Sequence, residues 1–207
     1  MPAVKRPYDS PRRRAQALAT RRRLVASARR LFAGQGYAAT TIESIAREAD
    51  LAVQTFYATY GSKRAVLFAL LDEMDEAAGV PSLLQKLRDA GADWPRQVEA
   101  VVDFNMRLFG ESIDVLDILR SAGEADPDIA AVARAGEERR RAGQAPIVRG
   151  WAQAGALRPD LDETSAAHIL WSLTSPEVFA LFVVRQEWPV TRYAIWLRDA
   201  LQRLLFS

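Results

Sequence analysis

No cysteine occurs in the 207 residues of the chain, and histidine occurs once, at His168. The first absence excludes a disulfide framework, a thiolate zinc site and a cysteine nucleophile; the second excludes any two-histidine metal site. No metal and no cofactor are expected. Long hydrophobic runs are lacking as well, since no run exceeds the seven residues of 178–184, far short of the roughly 20 residues that a spanning helix requires. The basic N-terminal stretch has no apolar segment behind it, so a secretory signal is not expected, and cytoplasmic residence without a membrane partner follows. Strand-like alternation and internal repeats are missing too. No G-x-S-x-G elbow, H-E-x-x-H string, phosphate-binding loop or EF-hand occurs. What is present is 49% hydrophobic and 26% charged residues, ordinary proportions for a globular protein. The length allows one large domain, or a small one joined to a medium one.

Charge is unevenly placed along the chain. Through Arg64 there are 13 basic and 4 acidic residues, and beyond it 15 basic and 22 acidic. Clustered Arg and Lys are rewarded by phosphate neutralisation and counterion release, so the N-terminal third is expected to meet a polyanion. Residues 1–14, with Pro2, Pro7 and Pro11 and no periodicity, read as a basic disordered arm.

Helical periodicity begins after the arm. Leu24, Ala28, Leu31 and Phe32 mark one face of a helix over 15–33, which Gly34 and Gly36 stop. Thr40 followed by Glu43 reads as a capping box opening a short helix with Ile42, Ile45 and Ala46 inward. That helix ends near Ala49, and Asp50 suits a turn because Asp tolerates the left-handed region. Residues 51–60 supply a second short helix with Phe56 inward, and Ser62 is an N-cap for a further one. After a broken region around Gly79, Pro81 and Gly91, helical patterns run over about 94–109, 111–122, 127–153, 162–186 and 190–206. Pro176 within the fourth of these removes a hydrogen bond and invites a kink. The fold class is all-α, a three-helix helix-turn-helix domain followed by a C-terminal bundle, about nine helices in total.

Two short helices across a tight turn, braced by a longer one, let the second helix enter a DNA major groove. The string TTIESIAREADLAVQTFYATYGSKRAVLFALLDE, residues 40–73, resembles the DNA-binding domain of TetR-family transcriptional regulators, and the resemblance extends over about 18–78. The segment WSLTSPEVFALFVVRQEWPVTRYAIWLRDALQRLLF resembles the last two helices of many such regulators. The resemblance implies domains at 15–78, with the helix-turn-helix at about 41–60, and at 79–207 for effector binding and dimerisation. It also implies a ligand-responsive repressor, not an enzyme, that binds pseudo-palindromic double-stranded operator DNA as a homodimer. Thr41, Tyr57 and Lys63 match family positions that contact backbone phosphates. Gln54, Thr55 and Val53 occupy the recognition-helix face that meets base edges, where Gln can bond adenine and Val or Thr can touch a thymine methyl. Two departures stand out: Asp50 replaces the expected turn glycine, and Ala52 replaces the Ser or Thr that caps the recognition helix.

Further expectations concern the second domain. The stripes Phe179, Phe182, Val183 and Trp196, Leu197, Leu201, Leu204 are too apolar for a lone surface and are assigned to the dimer interface. Trp94, Phe104, Phe109, Trp151, His168 and Trp171, with Asn105 and Asp103 as polar handles, are assigned to a pocket for a small lipophilic effector. His168, flanked by Ala167 and Ile169, reads as a core or pocket residue. Gly34, Gly36 and Ala39 match a dinucleotide fingerprint but follow a helix and not a strand, so they read as a helix stop. The alternatives are a small all-α enzyme or carrier with His168 as base, and a membrane-surface binder using the basic N-terminus; neither accounts for residues 40–63.

Overall fold

The computed structural model describes residues 11–207, and the chain divides into two compact units, Met1–Leu70 and Leu71–Ser207. The division falls inside a helix, eight residues before the boundary expected at 78/79. Part of the expected arm, residues 1–10, lies outside the described residues. Its remainder is helical, because α1 spans Pro11–Gln35 and starts with Pro11 in the first turn, where a missing N–H costs nothing.

The first unit contains α1, α2 (Ile42–Glu48), α3 (Val53–Tyr60) and the first half of α4 (Lys63–Ala78). Leu24, Val25, Ala28 and Phe32 of α1 are buried with Ile45 and Ala46 of α2, Phe56 of α3, and Val66, Leu67 and Leu70 of α4. The apolar face read from the sequence is thus the one that packs.

The second unit holds the end of α4 and α5 (Val80–Ala90), α6 (Trp94–Gly110), α7 (Ile113–Ala125), α8 (Pro127–Gln153), α9 (Glu163–Leu173), α10 (Pro176–Phe179) and α11 (Val190–Leu205). A π-wound segment, Ala180–Arg185, continues α10. Helix α5 replaces the expected broken region. Gly79 (φ 68°) and Gly91 (φ 54°) bracket it, and Pro81 sits in its first turn, so the residues read as interruptions are its boundaries. Its Leu83 and Leu87 lean on the core. The expected helix over 162–186 is cut in two: α9 stops at Leu173, and Ser175 caps a new helix with Pro176 at its start, bending the pair by 44°.

The core of this unit joins Val98, Val102 and Phe109 of α6, Trp151 of α8, Leu170 of α9, Phe179, and the row Tyr193, Leu197, Leu201 and Leu205 of α11. Helices α7 and α8 approach closely at Gly123, where a Cβ would lie 3.2 Å from Ala130 Cα. Phe206 closes one end, stacked on Trp94 at 4.2 Å and edge-on to Trp151 at 5.1 Å. No single helix among the described residues is long and apolar enough to cross a membrane.

Candidate nucleic-acid interface

The helix-turn-helix is built by local hydrogen bonds that sequence chemistry dictates. Helix α2 opens with a capping box one residue later than expected: Thr41 Oγ1 accepts from Ser44 N at 3.1 Å, and Ser44 Oγ accepts from Thr41 N at 3.1 Å. Thr40 is instead buried, donating to Gly36 O at 2.8 Å and accepting from Gln35 Nε2 at 3.2 Å. Of two adjacent threonines, the one facing the core is consumed by the preceding turn. Thr41 remains exposed at the helix entrance with its hydroxyl proton uncommitted.

Asp50 adopts φ 50°, the left-handed conformation that glycine usually provides. Arg23 of α1 holds the turn: its guanidinium donates to the Ala49 carbonyl, to Asp50 O at 3.1 Å and to the Asp50 carboxylate at 3.4 Å. A cross-helix clamp therefore stands where the family pattern relies on glycine alone. Ala52 begins α3 in an extended conformation with no side-chain cap, and Gly61 (φ 72°) ends it by donating to Tyr57 O at 3.0 Å.

On α3 the faces separate cleanly. Phe56 is fully buried, while Gln54 and Tyr57 are exposed, Tyr57 by 50%, and Val53 and Thr55 are half-buried beside them. Ser62 Oγ accepts from Ala65 N at 3.1 Å, capping α4 as expected. Lys63 is more committed than a solvated cation. Its ammonium donates to Tyr37 O at 2.8 Å and Thr40 O at 2.7 Å, lies 3.5 Å from Ala38 O, and sits 4.3 Å from the centre of the Tyr37 ring. Burial pulls its pKa below the usual lysine value. The side chain pins the turn between α1 and α2 and leaves a positive charge beside Thr41.

In the second unit the residues assigned to a pocket do not meet in one place. Trp94 and Trp151 pack around Phe206, with the Trp151 indole donating to Gln97 Oε1 at 2.6 Å. Phe109 packs on Phe179 in the core, Phe104 is half-buried on α6, and Asp103 pairs with Lys86 at 2.8 Å. His168 is exposed, a correction to its reading as core or pocket lining; position 168 lies on the face of α9 opposite the buried Ala166 and Leu170. The Arg140 and Arg141 guanidinium groups both lie over the Trp171 ring, 4.7 and 4.6 Å from its centre.

A polar cluster lies beside it, of which sequence reading picks out Asn105 and Trp171 but not Arg140, Gln144 or Thr174. The break between α9 and α10 frees carbonyls that side chains then satisfy. Asn105 Nδ2 donates to Thr174 O at 2.9 Å, Gln144 Nε2 to Thr174 Oγ1 at 2.8 Å, and Arg140 to Trp171 O at 2.9 Å. Burial lowers the pKa of the Arg140 guanidinium, while Glu177 and Glu137 act in the opposite direction. Asn105 Oδ1, Gln144 Oε1 and Trp171 Nε1 are buried with no hydrogen-bond partner among the described residues. Asn105 and Trp171 are assigned to the pocket from the sequence; for Arg140, Gln144 and Thr174 the one signal is the proline after Ser175, through the carbonyls that a broken helix exposes.

The expected dimer stripe is also corrected in register. Phe179, Leu197 and Leu201 are buried within their own chain and cannot face a second one. Phe182, Val183 and Trp196 are half-buried, and Leu204 is exposed. The uncovered apolar positions are Leu181, Val184, Ile195 and Leu204, exposed by 48, 51, 56 and 43%. On the same segments Phe182 packs against Trp188 and Trp196, with ring centres 4.8 and 4.4 Å away.

A capped short helix, a clamped tight turn and a second helix with a polar outward face define a helix-turn-helix DNA-binding protein. Residues 24–70 match the family model of bacterial regulatory proteins, tetR family. The HTH-type transcriptional regulator UidR of Escherichia coli (strain K12) is 25% identical over 162 residues, covering 77% of this chain and 80% of that one. Among solved structures, the SmeT-triclosan complex superposes with a TM-score of 0.71 at 18% identity, over 91% of this chain and 92% of that chain. Bacillus subtilis FadR in complex with stearoyl-CoA gives 0.68 at 16% identity, over 87% of this chain and 96% of that chain. Residues 24–70 thus form a DNA-binding domain of the tetR type, and over most of its length the chain is similar to HTH-type transcriptional regulators, which makes it a DNA-binding regulator.

Proposed function

We propose that this regulator is a cytoplasmic repressor that binds a pseudo-palindromic operator as a homodimer and is released by a small effector. The observation that carries the reading is a polar, exposed recognition-helix face in one unit together with an uncovered apolar face in the other. Gln54, Thr55 and Val53 read base edges, while Thr41 and Tyr57 bind phosphate. Lys63 contributes charge and holds the turn that presents Thr41. In the dimer, Leu181, Val184, Ile195 and Leu204 are covered by the same residues of a second copy, because an isologous interface pairs one patch with itself.

The effector binds near Thr174, where the unpartnered Asn105 Oδ1, Gln144 Oε1 and Trp171 Nε1 each forgo a hydrogen bond. Such atoms favour a molecule with an apolar body and hydrogen-bonding groups over a purely lipophilic one. That SmeT was solved with triclosan and FadR with stearoyl-CoA supports effector binding in the same fold. The effector enters by parting the side chains around Thr174, and reciprocity requires operator and effector to weaken each other by one factor.

The test selects bound fragments from genomic DNA and footprints them. Tyr57→Ala is expected to weaken all fragments alike, and Gln54→Ala to relax base preference as well; a Gln54→Ala protein with wild-type selectivity rejects the base-reading assignment. In sedimentation, Leu181→Glu with Ile195→Glu is expected to give a folded monomer, and an unchanged dimer rejects the interface.

A further inference from the structure

Helix α1 is longer than its packing requires. Leu24, Ala28 and Phe32 form its buried stripe, yet residues 11–19 are exposed on every side. Followed toward the N-terminus at the same three- and four-residue spacing, that stripe continues as Arg21, Ala17 and Arg13, all exposed. One helix face thus changes from apolar to cationic where the domain beneath it ends. The change occurs beside the recognition helix: the Arg21 guanidinium sits 4.8 Å from the ring centre of Tyr60, the last residue of α3, whose hydroxyl donates to Arg21 O at 3.5 Å. From there Arg13 lies about 12 Å further along the helix at 1.5 Å per residue.

The chemistry of this overhang is one-sided. Helix α1 carries eight arginines and no carboxylate. Arg23 and Arg30 are spent inside the domain on Asp50 and Glu48. Arg12, Arg13 and Arg22 make no hydrogen bond or ion pair among the described residues. Arg12, Arg13 and Arg22 therefore face no counter-charge from the described residues. We propose that residues 12–22 of α1 form a second DNA-contacting surface, in which Arg12, Arg13, Arg21 and Arg22 lie against phosphates flanking the stretch read by α3. Charge complementarity and continuity with the recognition helix through the Arg21–Tyr60 contact favour duplex DNA as the occupant. A lipid surface is disfavoured because Leu18 is the only large apolar side chain of residues 11–22, leaving no apolar face to insert. These contacts are sequence-independent and lengthen the bound region rather than select bases.

The inference rests on the DNA-binding reading of the chain, and the experiment separates the two. Binding of the full-length protein to a mixed-sequence 40-base-pair duplex is measured across salt concentration for the unaltered chain and for Arg12→Gln/Arg13→Gln/Arg22→Gln. A third protein, Arg134→Gln/Arg139→Gln/Arg203→Gln, loses the same charge from exposed positions of the second unit. The slope of log K against log salt is expected to fall by roughly two to three in the α1 variant, with roughly tenfold or greater loss of affinity near physiological salt, since each released phosphate contact is worth about 0.9 in slope. The second-unit variant is expected to keep the slope. An α1 variant with the unaltered slope, or an equal fall in both variants, overturns the proposal. So does loss of binding to phosphatidylglycerol vesicles in the α1 variant while its duplex binding is unchanged. Failure of the unaltered chain to bind any duplex rejects the DNA reading itself and this surface with it.

Discussion

The two units of this protein are organised on different length scales. In the first, helices α2 and α3 of seven and eight residues are fixed by contacts spanning a few positions: the Thr41–Ser44 box, the left-handed Asp50, the Gly61 C-cap and the Ser62 N-cap. In the second, helices of up to 27 residues are oriented by packing, and their ends and faces answer to distant partners. Local chemistry is written in adjacent residues. A packed face is chosen among several that the same periodicity permits, which is why the recognition helix was readable and the buried face of α11 was not.

Substitutions can break or sharpen this contrast. The largest effect is expected along α11, where Leu201→Ala, at a fully buried position, should cost about 2–5 kcal/mol by chemical denaturation. Ile195→Ala, six residues earlier and exposed, should change stability by less than about 0.5 kcal/mol, measured at a concentration where the protein sediments as a monomer. Equal costs at both positions would mean that the register is wrong.

A smaller loss should follow Gly123→Ala. The added methyl would meet the Ala130 backbone at 3.2 and 3.3 Å, so α7 and α8 must separate, at about 1–3 kcal/mol. A neutral result would show that the two helices slide apart freely. The smallest expected change is a gain. Ala52 already has the extended conformation of an N-cap (φ −69°, ψ 146°) without a side-chain acceptor, so Ala52→Ser should stabilise α3 by about 1 kcal/mol in thermal unfolding. Absence of any gain would place the start of α3 elsewhere.

The helix-turn-helix was legible to within two residues, α3 starting at Val53 and not at 51. The capping box assigned to Thr40 and Glu43 was misplaced because either threonine satisfies the pattern, and only burial of Thr40 against Gly36 and Gln35 decides between them. In the second unit, Gly79, Pro81 and Gly91 read as a break although Leu83 and Leu87 between them pack on the core. His168 read as an interior residue because its neighbours in sequence are apolar, but position 168 turns away from Ala166 and Leu170. The aromatic residues assigned to one pocket were grouped by composition, which carries no information about which end of a bundle each occupies.

The sequence by itself determined the all-α class, the basic first third, the absence of cysteine and two-histidine chemistry, and a recognition helix with Phe56 inward and Gln54 and Tyr57 outward. Those features depend on composition, on helical period and on hydrogen bonds between near neighbours. Only the tertiary structure decided that Lys63 spends its donors on the carbonyls of residues 37–40, that Arg23 clamps the Asp50 turn, and that Tyr193, Leu197 and Leu201 face inward while Ile195 faces out. Each of those depends on a partner that is distant in the chain, and a helical period fixes the angle between side chains on one helix without fixing which of them meets the core.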